Sequence, residues 1–226
     1  MPTSTVEDYL KSILLAEQDA PSVRVSTGRI ASALSVAPAT VTSMLKTLAA
    51  SGLVSYEPYS GVCLTRAGNE LALHVLRRHR LVELFLVRVM GMDWSEVHEE
   101  AELLEHSVSE NLIQKMDEML GYPEVDPHGD PIPTAGGEVQ QSEAVSLLQC
   151  GLDEPMQVVR VGDQSMEFLQ LVEREGLKPG RRVEVRERNE AAESVLLDRR
   201  ARGPLSLGFG AASKILVSPV ESASRQ

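Results

Sequence analysis

The segment "VHEEAELLEHSVSE", residues 97–110, gathers carboxylates and imidazoles at helical spacing. On a helix that turns 100° per residue, His98, Glu102, Glu105 and His106 fall within about one third of the circumference. Glu99 and Glu100 point elsewhere, into solvent. So close a group of acids repels itself unless a cation sits among them. A divalent ion shared by two carboxylates and an imidazole removes that repulsion. A second pair stands one turn apart upstream, His79 and Glu83 in "RRHRLVEL". The plain alternative is a solvated glutamate-rich face. Hydrolytic zinc chemistry is a third use of such a helix, since "HEEAE" approaches the pattern His-Glu-x-x-His. Glu102, however, stands where the second histidine is required. The rival of another class is therefore a metal-dependent hydrolase built on Glu102, Glu105 and His106, with Glu105 as base. No nucleophile or oxyanion motif accompanies that helix.

The elements that must position these residues follow from periodicity. "STVEDYLKSILLAEQ" repeats Val6, Leu10, Ile13 and Leu14 at three- and four-residue spacing, with Ser4 or Thr5 as cap. In the next stretch Ser26 or Thr27 caps a helix through Leu34, and Ser35-Val36-Ala37 makes a turn. Pro38 opens a second helix that buries Val41, Met44, Leu45 and Leu48 and ends at Gly52. Two short β-like runs then flank Pro58-Tyr59-Ser60-Gly61. Helix-turn-helix followed by a hairpin is the order of a winged-helix DNA-binding domain. Small residues at the start of the second helix, Ala37, Pro38 and Ala39, let it approach a groove, and methyl groups there can touch thymine. Arg29, Lys46 and Arg66 add positive charge.

A long apolar-periodic segment covers Arg66 to Met90, and helices over 94–106 and 108–120 complete an acidic helical domain. "GYPEVDPHGDPIPTAGGEVQQSE" is too rich in Pro and Gly for continuous helix or strand and reads as a linker. Beyond it "MQVVRV", "RRVEVRER", "SVLLDR" and "KILVSP" read as strands of a small antiparallel barrel. The expected fold is mainly α with a small β-barrel. A winged helix-turn-helix over 1–72 leads to a helical metal-binding and dimerisation domain over 73–140, with the linker at 122–142, and to a barrel over 143–226.

Charge supports separate jobs for these parts. The net charge of −11 hides a segregation: residues 1–80 carry 8 Lys/Arg against 6 Asp/Glu, residues 81–140 carry 2 against 14, and residues 141–226 carry 12 against 13. The slightly basic head needs a dimer or several phosphate contacts to hold DNA. No apolar run reaches bilayer length, and "MPTSTVEDYLKS" lacks the regions of a secretion signal. The two cysteines, Cys63 and Cys150, match no zinc or redox spacing. A cytoplasmic protein is expected, with no membrane partner.

Four separated motifs, in order, resemble the DtxR/MntR family, the diphtheria-toxin-repressor and manganese-transport-regulator proteins. They are "TVEDYLKSIL", "VLRRHRLVELFL", "MGMDWSEVHEEAELLEHSVSE" and "DPHGDPIP". The tail, with "LVEREGLKPGRRVEV" and "GPLSLGFGAASKILV", is similar to the FeoA-like, SH3-like barrel of three-domain members. The resemblance implies a primary metal site of Asp8, Glu102, Glu105 and His106. Iron-type members carry methionine and cysteine at the positions of Asp8 and Glu102. The hard oxygen set found here suits Mn²⁺, with Fe²⁺ close behind. Lys11 stands where members with a close two-metal cluster carry glutamate, which argues against such a cluster. An ancillary site would use His79, Glu83 and His98 with Gln164 and Glu167 from the barrel, as iron-type members do, or Glu83 with Asp126 and His128, as streptococcal manganese-type members do. His74 reads as an ordinary histidine.

The resemblance further implies a homodimeric, metal-activated repressor of manganese or iron uptake genes, with no small-molecule substrate. Its partner would be a pseudo-palindromic double-stranded operator. Candidate DNA contacts are Arg29, Ala37, Pro38, Ala39, Thr40, Ser43, Lys46, Tyr59 and Ser60.

Overall fold

The computed structural model describes residues 3–140, 143–199 and 202–220. Residues 1–2, 141–142 in the expected linker, and 200–201 and 221–226 in the expected barrel lie outside them. The chain divides into two compact units. The first holds the residues up to His79 together with Glu105–Ser107 and Pro133–Val139. The second holds Arg80–Leu104, Val108–Ile132 and the described residues from 140 onward.

In the first unit, helix α1 spans Ser4–Asp19. Its cap is Thr3, one residue ahead of the expected Ser4 or Thr5, and the Thr3 side chain accepts from Val6 N at 3.4 Å. The apolar repeat buries Leu10, Ile13 and Leu14, each worth roughly 1.5–3 kcal/mol relative to exposure. Helix α2, Thr27–Ala33, is capped by Ser26, whose hydroxyl accepts from Arg29 N at 3.2 Å. Ser35 turns the chain at φ 53°, and helix α3 then runs Pro38–Ala50 with proline in its first turn. Val41, Leu45 and Leu48 of α3 join Leu10, Ile13 and Ile30 in one core.

Strands β1, Val54–Glu57, and β2, Gly61–Leu64, form the hairpin, with Val54 opposite Leu64 and Glu57 opposite Gly61. Val25 and Val62 exchange backbone hydrogen bonds of 2.8 and 2.9 Å. That brings Val25 so near Gly61 (φ 110°) that a Cβ there would meet the Val25 carbonyl oxygen at 2.6 Å.

Helix α4 spans Arg66–Arg88, as its apolar period requires. Near its start a Cβ on Gly68 would lie 1.9 Å from the Leu53 carbonyl oxygen. Gly68→Ala should therefore cost about 1–3 kcal/mol, the usual range for overpacking. Thermal unfolding checks this, and an unchanged melting temperature would contradict it.

In the second unit the later turns of α4 pack with α5, Val97–Leu104, and α6, Glu110–Leu120. Leu81, Val82, Leu84, Val97, Ala101 and Ile113 form that core. Ser109 caps α6, accepting from Leu112 N at 3.3 Å. Helix α5 is shorter than the expected 94–106: it stops at Leu104, and Glu105–Ser107 form a turn belonging to the first unit. The single helical face assigned to His98, Glu102, Glu105 and His106 is corrected accordingly. Glu105 is held by partners distant in sequence, which periodicity cannot register.

The remainder is an antiparallel sheet in the order β3-β8-β4-β5-β6-β7. The strands are β3, Val145–Ser146; β4, Met156–Val161; β5, Arg182–Asn189; β6, Ser194–Asp198; β7, Pro204–Gly208; and β8, Ile215–Pro219. Helix α7, Met166–Glu175, lays Phe168, Leu169 and Val172 on it, and the short α8, Phe209–Ala212, follows β7. The expected closed barrel is corrected to an open sheet with β3 and β7 at its edges. Among the described residues β3, only two residues long, and β7 are not paired with each other.

Candidate metal centres and nucleic-acid face

In the first unit α1 and the turn after α5 bring Asp8, Glu105 and His106 together, one ligand atom of each within 4.8 Å of the others. Asp8 follows the cap by more than a turn and faces the same side as Lys11, three residues on. His106 Nε2 lies 2.7 Å from Asp8 Oδ1 and 3.3 Å from Glu105 Oε1. On the far side of the ring, Nδ1–H donates to Glu7 Oε2 at 2.8 Å. Burial disfavours the imidazolium, but the Glu7 hydrogen bond and the charges of Glu105 and Asp8 outweigh it and raise the His106 pKa above its ordinary value.

Glu105 is fully buried. Lys11 Nζ donates to its Oε1 at 2.7 Å, and His79 Nδ1–H donates to its Oε2 at 2.6 Å. Burial works against this carboxylate too, yet the His79 hydrogen bond and the Lys11 ammonium hold its pKa below the usual range. Three residues here lay outside the expected ligand set: Glu7, Lys11, and Arg78, whose Nη2 donates to Glu7 Oε2 at 2.8 Å. Only Lys11 carried a signal in sequence, as a departure from a family pattern.

In the second unit Glu83, Asp126 and His128 are all buried, and their ligand atoms also lie within 4.8 Å of one another. Glu83 comes from α4; Asp126 and His128 come from the Pro/Gly segment, which is here a packed loop rather than a mere tether. Asp126 Oδ1 accepts from His128 N at 2.8 Å and from Asp130 N at 2.9 Å, which fixes the loop. His128 Nε2–H donates to the Trp94 carbonyl at 2.9 Å. A neutral ring so tied presents Nδ1 as a lone pair, and that atom lies 3.9 Å from Glu83 Oε2. Among the described residues His128 Nδ1 and Asp126 Oδ2 have no hydrogen-bond partner, with the Arg80 guanidinium 3.7 Å from that aspartate oxygen. Burial and the neighbouring charges of Asp130 and Glu83 push the Asp126 pKa well up, with Arg80 opposing. Acceptors converging on a buried space, with a histidine tautomer locked by a backbone carbonyl, fit a divalent cation.

Other expected ligands are placed as follows. His98 Nδ1 lies 3.1 Å from Glu83 Oε1, so Glu83 faces His98 with one oxygen and His128 with the other. Glu102 lies on α5 in the second unit, its Oε1 3.8 Å from His98 Nε2. His79 belongs to the first unit with Glu105. Gln164 Nε2 donates to Asp130 Oδ2 at 2.9 Å, and Glu167 lies on the exposed first turn of α7. His74 is exposed.

The candidate DNA contacts are all exposed. Ala37, Pro38, Ala39, Thr40, Ser43 and Lys46 are exposed along α3, opposite its buried stripe. Thr47, beside Lys46 on α3, is exposed as well. Arg29 is paired with Asp19 at 2.5 Å. Tyr59 holds φ at 68° with its ring wholly exposed, and Ser60 is exposed beside it at the hairpin tip. A left-handed tyrosine is a strained choice for a turn residue.

Residues 1–62 match the iron dependent repressor N-terminal DNA binding domain. Residues 65–134 match the iron dependent repressor metal binding and dimerisation domain, and residues 145–219 match the FeoA domain. The chain is 37% identical over 127 residues to the HTH-type transcriptional regulator MntR of Lysinibacillus sphaericus, covering 56% of this chain and 89% of that protein. It is 35% identical over 122 residues to MntR of Shouchella clausii, covering 54% and 83%. A solved manganese-dependent transcriptional repressor in complex with manganese superposes with a TM-score of 0.87 at 39% identity, over 95% of this chain and all of that one. These relatives are transcriptional regulators, the solved one a repressor, and none is a hydrolase as the hydrolase reading of Glu102, Glu105 and His106 would require.

Proposed function

Because the chain belongs to the DtxR/MntR family of metal-dependent transcriptional repressors, we propose that it binds operator DNA as a homodimer when Mn²⁺ occupies the Asp8–Glu105–His106 set. The observation that carries this reading is the convergence of two carboxylates on His106 Nε2, at 2.7 and 3.3 Å, within the unit that bears the helix-turn-helix. Two oxygen donors and one imidazole suit Mn²⁺, and Fe²⁺ differs little in preference.

Asp8 is fixed on α1, and Glu105 and His106 on the turn 105–107. When bound, the cation neutralises their mutual repulsion and acts as a bond between those two segments. The three side chains thereby restrict the positions that α3 samples, so that the recognition helices of two subunits match two half-sites on one face of the duplex. The ligand-bearing state is the DNA-competent one, and its population rises by the difference in metal affinity between states. Glu83, Asp126 and His128, with His98 beside Glu83, form a second site that stiffens the Pro/Gly loop. Leu103, Leu112 and Met119 stand exposed on α5 and α6, an apolar face suited to cover by a second copy.

Anaerobic titration with Mn²⁺ and with Fe²⁺, followed by binding to DNA selected from a random pool, tests the reading. Two Mn²⁺ should bind per chain, and DNA affinity should rise with the first site filled. Equal DNA binding in chelator and in Mn²⁺ would overturn it. A Glu102→Ala arm decides whether that carboxylate adds to the first site.

A further inference from the structure

We infer that Glu7, itself held by Arg78, is the positioning residue that turns His106 Nε2 toward Asp8 and Glu105; the inference rests on reading those three as a metal site. Glu7 Oε2 accepts from His106 Nδ1–H at 2.8 Å and from Arg78 Nη2 at 2.8 Å. The three side chains are 10%, 17% and 17% exposed for Glu7, Arg78 and His106. Arg78 lies on α4 and Glu7 on α1, so the carboxylate is pinned between two helices of the same unit. An ionised carboxylate can only accept, which assigns the Nδ1 proton to this bond.

That assignment matters because a neutral imidazole left to itself keeps its proton mostly on Nε2. With the proton there, His106 could not offer a lone pair toward Asp8 and Glu105. Without a cation, carboxylates face both ring nitrogens: Glu7 at Nδ1, and Asp8 with Glu105 at Nε2. A cation shared by Asp8 and Glu105 would take the Nε2 lone pair, and the ring's one proton then stays on Nδ1 with Glu7. Arg78 fixes where Glu7 Oε2 stands, and so fixes the plane of the ring. Glu7 is placed to act on the site through His106. Such orienting partners are typically worth 10–100-fold in metal affinity.

The test uses the full chain and two readouts. In the chain loaded with Zn²⁺, a diamagnetic stand-in for Mn²⁺, nitrogen-resolved NMR of the His106 imidazole should find the proton on Nδ1 and the metal on Nε2. In Glu7→Leu at the same Zn²⁺ concentration that signature should be lost. Direct Mn²⁺ titration should find Glu7→Leu weakened about 10–100-fold. Glu7→Gln, whose amide oxygen is kept facing His106 by the Arg78 donor, should retain the native tautomer and most of the affinity. That rescue separates positioning from bulk. A proton on Nε2 in the native chain overturns the inference even if Glu7→Leu does not fold. Native affinity in Glu7→Leu, with affinity lost in Asp8→Ala, overturns it while leaving the metal site intact. Native affinity in both variants overturns the reading of the site itself.

Discussion

Asp8→Ala should bind the selected DNA no better in Mn²⁺ than in chelator, within about twofold, where the native chain gains on the order of 5–150-fold. The substitution removes one hard oxygen ligand from a set of three and leaves the set with no ligand from α1. The fold should survive. Asp8 is half-buried at the surface of α1, and the apolar stripe of Leu10, Ile13 and Leu14 is untouched. Circular dichroism and thermal unfolding in chelator should therefore match the native chain within about 1 kcal/mol, the usual scale for surface changes. Size-exclusion chromatography should still report the native oligomer. A folded Asp8→Ala that keeps its Mn²⁺-dependent affinity would leave the proposed switch without a part to act through.

Glu105→Ala should fail differently, by losing stability before any metal is added. Its carboxylate is wholly enclosed and stands between the Lys11 ammonium at 2.7 Å and His79 at 2.6 Å. Lys11 is itself only 6% exposed. Removing one member of a buried pair costs about 3–5 kcal/mol, because the remaining charge stays desolvated. The comparison that isolates this term is a double-mutant cycle in chelator. Lys11→Met alone strands the carboxylate, whereas Glu105→Ala with Lys11→Met removes both charges. The double variant should be more stable than either single one would suggest by addition. Additive losses would mean that the ion pair contributes nothing beyond its separate members. In Mn²⁺ the Glu105→Ala chain should also lose its metal-dependent DNA binding, so the two losses can be measured in one sample.

Local rules carried much of this protein into view before any coordinates. Periodicity located α1, α4 and the helix pair of the head, because burying one stripe of a helix leaves a 3.6-residue signature that needs no tertiary information. Turn chemistry located the hairpin at Tyr59-Ser60-Gly61, and residue chemistry singled out Glu105 and His106, with Glu102 and His98, as acids and imidazoles in want of a cation; only the family resemblance pointed to Asp8. Tertiary structure alone decided the partners that contact imposes. Glu7, Lys11 and Arg78 are ordinary charged helix residues by every local measure; they matter only because α1 and α4 bring them to His106 and Glu105. The same reason explains why α5 stops at Leu104, and why a segment that reads as a linker carries a buried aspartate and histidine facing Glu83. The open sheet follows too, since the alternation of its strands specifies two faces and says nothing of whether the edges meet. Patterns along the chain record what each residue buries, whereas the pairing of charges across ninety or more residues is settled only when the chain has folded.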